Sequence, residues 1–151
     1  MRTSPAEFIT LREMCGLTQS GAAEAIGASH RAVQHWEAGE RAVPKAKIDA
    51  MRNLDDLIRL RATLILEPHA MREAPNRRVD LLRYRCPEDY EAAEPGHVAA
   101  GLSWQAYHAM LWRVMDGLAR LRVRYLVRWP EEIEAEAAEH AEADCETAET
   151  T

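Results

Sequence analysis

The sequence is poor in aromatic side chains and in strand formers. Phe, Trp and Tyr make up 6% of its 151 residues, with a single Phe. β-Branched residues are sparse beside Ala, Leu, Glu and Arg, a balance that favours helix. No apolar run approaches the ~18 residues a bilayer-spanning helix needs. The opening MRTSPAEFIT also lacks the basic-then-apolar layout of a signal peptide. The expectation is a soluble, cytoplasmic chain with no membrane partner. Cys15, Cys86 and Cys145 are odd in number, far apart and without a C-x-x-C pair, which argues against a disulfide framework and against a zinc site. His97 and His108 with Cys86 match no metal-ligand spacing. There is no P-loop, no H-E-x-x-H and no G-x-S-x-G. The sequence therefore gives no reason to expect an enzyme, a cofactor or a metal.

What is present suffices for a packed core. Apolar residues are 47% of the chain and charged residues 29%, enough for one ordinary domain or two small ones. The net charge of −6 is unevenly spread. Residues 1–85 hold 14 Lys and Arg against 11 Asp and Glu, residues 86–130 hold five of each, and residues 131–151 hold nine acids and no Lys or Arg. The acidic end sets the total, so the rest of the chain remains suited to an anionic partner.

Four segments follow. Residues 1–67 contain short helical pieces punctuated by Gly16, Gly27 and Gly39. A longer helix follows over 44–67, with Pro44 at its start and Ile48, Met51, Leu54, Leu57 and Ile58 at helical spacing. Pro68 and Pro75 bracket a basic linker over 68–78. Residues 79–130 read as a small α+β domain. It has a strand at 79–84, a short acidic helix from Pro87, and a helix capped by Ser103 with the stripe Trp104, Tyr107, Met110, Leu111, Val114, Met115 and Leu118. A closing strand has Val123, Tyr125 and Val127 on one face. So few strands cannot bury both sheet faces, which calls for self-association. Trp104, Tyr107 and Trp112 read as core or dimer interface ahead of a ligand pocket. Residues 131–151 form an acidic tail, either a frayed helix or disordered.

The informative stretch is 16–44, GLTQSGAAEAIGASHRAVQHWEAGERAVP. Thr18 and Ser29 can each cap a helix, Ala22, Ala23 and Ile26 allow two helices to cross closely, and Gly27 permits the turn between them. Val33 and Trp36 face inward, which leaves His30, Arg31, Gln34 and His35 on the outer face of the second helix. Glu37 reads as a structural partner near that helix end. This arrangement is a helix-turn-helix.

From Leu11-Arg12-Glu13 through Gly16-Leu17-Thr18-Gln19, Ala23, Gly27, Ser29, Val33, Trp36-Glu37, Gly39 and Pro44, the chain resembles the lambda-repressor-like (XRE-type) helix-turn-helix family. Ala22 stands where that family usually has a larger aliphatic residue. The resemblance implies a mainly α fold, in which an N-terminal DNA-binding module is joined to a small C-terminal α+β dimerisation domain. It also implies that His30, Arg31, Gln34 and His35 read base edges, while Thr18, Gln19, Ser29, Arg41, Lys45 and Lys47 contact phosphates.

The second half, with R-Y-R-x-x-E-D-Y and S-W-Q-x-Y-H, is similar to small regulators that include anti-CRISPR-associated autoregulators of phages and mobile elements. The resemblance implies a homodimeric, sequence-specific transcriptional regulator, an autorepressor on an inverted-repeat operator of double-stranded DNA. The alternative is an antitoxin that neutralises a partner toxin protein and autoregulates its operon. The same basic face leaves an RNA target open.

Overall fold

In the computed structural model, residues 4–70 and 78–149 are described, 141–149 by their helix path alone. Four helices open the chain: α1 (Pro5–Met14), α2 (Gln19–Ala25), α3 (His30–Glu37) and α4 (Lys45–Ala70). The Ser4 hydroxyl accepts the Glu7 amide and Pro5 occupies the first turn of α1, where a missing N–H costs nothing. Gly16, Gly27 and Gly39 take φ of +71°, +62° and +75°, the left-handed turn that only glycine adopts without strain. Their spacing therefore fixes where α1, α2 and α3 stop. The helices enclose Phe8, Ala22, Ala23, Ile26, Val33, Trp36, Ile48 and Met51, with Phe8 edge-on to Trp36 at 5.7 Å. Ala22 is fully buried, so the small residue lets α2 approach its neighbours closely.

The long helix differs from expectation at both ends. Pro44 precedes α4, its carbonyl accepting from the Lys47 and Ile48 amides. The helix runs past residue 67 to Ala70 and takes Pro68 into its last turn. The first residues of the expected linker are thus helical, and 71–77, with Pro75, lie outside the described residues.

The second half places β1 (Arg78–Leu82) beside β2 (Arg124–Arg128) in a two-stranded parallel sheet, with Arg78 opposite Arg124 and Leu82 opposite Arg128. Parallel pairing requires a crossover. It is made by α5 (Pro87–Ala93), α6 (Pro95–Ala99) and α7 (Trp104–Arg120), of which the five-residue α6 was not expected. The aromatic stripe of α7 locks to β1 and to the loop after it. The Tyr107 hydroxyl donates to Leu82 O at 2.7 Å and Trp104 Nε1 to Tyr84 O at 3.1 Å. Tyr84, Tyr90 and Tyr107 pack together, and burial pushes the Tyr90 hydroxyl up to about 12.

Val123 and Tyr125 are half-buried, whereas Val127 and Leu126 remain exposed, because two strands present more face than α7 covers. Trp112 stands 67% exposed and belongs to no core. α8 (Pro130–Glu149) is a helix whose first turns are pinned by Arg85–Glu131 and Arg128–Glu136 ion pairs.

The two halves share one core, and the contact between them follows a second stripe on α7, one residue in four. Gln105 Oε1 accepts the Thr18 amide at 3.3 Å. Ala109 lies against Gly16, Arg113 reaches Asp55, and Gly117 lies under Leu66. A Cβ at Gly21 would strike the Gln105 carboxamide, and one at Gly117 the Leu66 side chain, so glycines on both helices permit the approach. Asp55 is the one buried charged residue among the described residues, at 4% exposure. Arg113 Nη2 donates to it at 2.5 Å and also to Met14 O, and Arg59 adds an ion pair at 2.8 Å. Without Arg113 the buried Asp55 carboxylate keeps only Arg59 of its own helix and loses its tie to α7. Arg113→Met should therefore lower the unfolding free energy by about 3 kcal/mol, read as an earlier urea midpoint in a single transition that includes both halves.

Candidate nucleic-acid interface

α3 is held from beneath. The Ser29 hydroxyl accepts the Ala32 amide at 3.2 Å and caps its start. Val33 and Trp36 anchor its inner face. Glu37, at its last turn, accepts Arg12 Nε at 2.6 Å and Gln19 Nε2 at 2.8 Å, while Arg12 Nη1 donates to Leu17 O at 2.7 Å. Three helices are thereby tied through one nearly buried carboxylate. A charge-assisted network of this kind fixes the angle between α2 and α3. Glu37 has the structural place its position suggested.

With Val33 and Trp36 turned inward, helical geometry sends positions 30, 31, 34 and 35 outward together. His30, Arg31 and Gln34 are exposed and His35 is half-buried. Arg31 Nε donates to His35 Nε2 at 3.3 Å, and His35 Nδ1 pairs with the Glu40 carboxylate. The Arg31 Nη groups, His30 and Gln34 make no hydrogen bond to another side chain among the described residues. This face therefore combines donor-rich side chains with a rigid support.

The residues expected to meet phosphate divide into two sets. Thr18 and Ser29 spend oxygen lone pairs on capping, Thr18 accepting the Gly21 amide at 3.0 Å, but each hydroxyl proton is still available to an acceptor. Arg41 is exposed, and its guanidinium has no ion-pair partner among the described residues. Lys45 is exposed and pairs only with Asp49, at 2.6 Å. These four can face an anion. The other two are committed within the fold. Gln19 gives its side-chain N–H to Glu37. Lys47 Nζ donates to Ile26 O at 2.7 Å and Gly27 O at 2.8 Å, closing the turn between α2 and α3.

The contribution that sequence reasoning missed is Gln105, which reaches the start of α2 from 87 residues away. No local pattern signals such a contact. Among the described residues, no group of three or more His, Cys, Asp or Glu side chains is arranged to hold a metal ion. No helix among them is long and apolar enough to cross a membrane.

A family model described as a helix-turn-helix domain matches residues 6–66, from α1 through most of α4. No curated protein matches the chain. The capped α2–turn–α3 pair, the three glycine turns and the buried Val33 and Trp36 lie within the matched span. Residues 6–66 thus form a helix-turn-helix domain of the lambda-repressor-like (XRE) type, a domain that suggests DNA binding.

Proposed function

We propose that the chain is a sequence-specific DNA-binding transcriptional regulator, acting as a homodimeric autorepressor. The observation that carries this reading is the outer face of α3. It presents His30, Arg31, Gln34 and His35 together on a helix braced by the Arg12–Glu37–Gln19 network. Arg31 is suited to the O6 and N7 acceptors of guanine and Gln34 to the N6 and N7 of adenine. Arg41, Lys45 and the hydroxyls of Thr18 and Ser29 flank this face and suit the phosphate backbone. Repression requires no chemistry, since a protein seated on the promoter excludes polymerase.

The second half supports self-association, as in the small autoregulators it resembles. Trp112, Leu121, Leu126 and Val127 are exposed there, and β1 and β2 each have one edge without a strand partner among the described residues. Residues 79–130 would then join two copies, with the operator an inverted repeat whose half-sites lie about one helical turn (~34 Å) apart.

The decisive experiment is a fluorescence anisotropy titration with the duplex upstream of the gene and a scrambled duplex, at two salt concentrations. Tight, salt-sensitive binding to the native duplex alone supports the reading. Equal weak binding to both directs attention to a protein partner.

Four outcomes are expected. Arg31→Ala should cost about 1–3 kcal/mol of binding and relax preference at one or two base positions. If every sequence is bound as by the parent chain, α3 is not the reading helix. Lys45→Ala should weaken all sequences alike and flatten the salt slope by roughly one unit. Lys47→Ala should instead lower folding stability by about 1 kcal/mol, through loss of the two carbonyl contacts, as a urea titration would show. In sedimentation equilibrium the full chain should weigh twice its monomer, and Trp112→Arg or Leu126→Arg should shift it toward the monomer. A parent chain that is monomeric at every concentration would remove the dimer.

A further inference from the structure

Glu40 lies beyond the end of α3, and no reading role attaches to it from the sequence. It is nonetheless the last member of a directed hydrogen-bond chain across the reading face. Arg31 Nε approaches His35 Nε2 at 3.3 Å, and His35 Nδ1 meets the Glu40 carboxylate. A guanidinium can only donate, so His35 Nε2 must accept. The ring proton then lies on Nδ1, aimed at an ionised carboxylate that can only accept. Every bond direction is thus fixed, from Arg31 to His35 to Glu40.

The backbone sets this spacing. Gly39, at φ +75°, reverses the chain after α3, and the Glu40 and Arg41 amides both donate to His35 O, at 3.0 and 3.2 Å. Glu40 is therefore held beside His35 by the turn itself. With Nε engaged, Arg31 is left with its two Nη groups, an end-on pair of donors that matches guanine O6 and N7. An untethered arginine would have to give up more rotamer freedom to offer the same edge.

We infer that Glu40 is a specificity-determining positioning residue. It touches no base, but it holds the His35 tautomer that in turn holds Arg31 in its reading orientation. This inference rests on the proposed reading of DNA by α3. It also opposes the simple electrostatic expectation, in which an acid beside DNA repels every sequence equally and its removal strengthens all binding alike.

The test uses the full-length chain and a pool of duplexes with a randomised centre. Duplexes enriched on the parent protein are compared with their single-base variants, and discrimination is taken as a ratio of affinities, which cancels any uniform charge effect. Glu40→Ala should lower discrimination at one guanine position about five- to tenfold, while affinity for a scrambled duplex holds or rises. Glu40→Gln removes the same charge but keeps an oxygen to accept the Nδ1 proton, so it should retain discrimination within about twofold of the parent. His35→Ala should reproduce Glu40→Ala. The inference is overturned if Glu40→Ala keeps the parental base preference, or if the Ala and Gln variants lose it equally. If the parent chain enriches no duplex, the DNA-reading proposal falls and takes this inference with it, a failure visible before any variant is compared.

Discussion

Asp55 and Arg113 hold the molecule in register. An ionised carboxylate in a protein interior loses its hydration and is tolerated only where donors replace the water. Asp55 receives two of them, Arg59 from its own helix and Arg113 from α7, and Arg113 also engages the carbonyl of Met14 at the end of α1. A hydrophobic contact would let α7 slide or rotate on α4 at little cost. A hydrogen-bonded ion pair does not, because its geometry is satisfied at one setting. Once Arg113 is placed, the residues one and two turns before it and one turn after it are placed too. Ala109 meets Gly16, Gln105 meets the start of α2, and Gly117 slides under Leu66.

This arrangement reaches the helix-turn-helix through small residues. Gly16 and Gly21 are turn and helix positions in the helix-turn-helix module, but they also form the floor on which α7 rests. The module is thus not an independent bead joined to a second bead. Its first turns are packed against the part of the chain on which self-association would depend.

The fold of the helix-turn-helix module was almost wholly legible in the sequence because its determinants are local. Thr18 and Ser29 cap helices that begin one residue later, the three glycines sit at the turns, and Val33 and Trp36 face inward at their helical spacing. The two strands were also legible, the second from its partial alternation ahead of Pro130. The packing of the halves was not. The stripe Gln105, Ala109, Arg113 and Gly117 is polar or small and lies beside an apolar stripe that dominates the pattern of α7. Its partners lie 51 to 99 residues away in the chain, at Leu66, Asp55, Gly16, Thr18 and Met14 among them. Lys47 shows the same limit on a smaller scale. A lysine just after the motif suggests phosphate, and only the fold shows that its ammonium also donates to two carbonyls.

The parallel pairing of β1 and β2 sets an order of events during synthesis. A hairpin can close as soon as its second strand appears, but β1 waits for β2 until three helices have been made. Contacts so distant in sequence form late. While the ribosome is still extending the chain, α1 through α4 are already out, with Asp55 hydrated and the seat around Gly16 and Gly21 vacant. The nascent chain therefore has its helix-turn-helix before it has the sheet, and it passes through a stage in which α1 to α4 must hold without the second half packed against them.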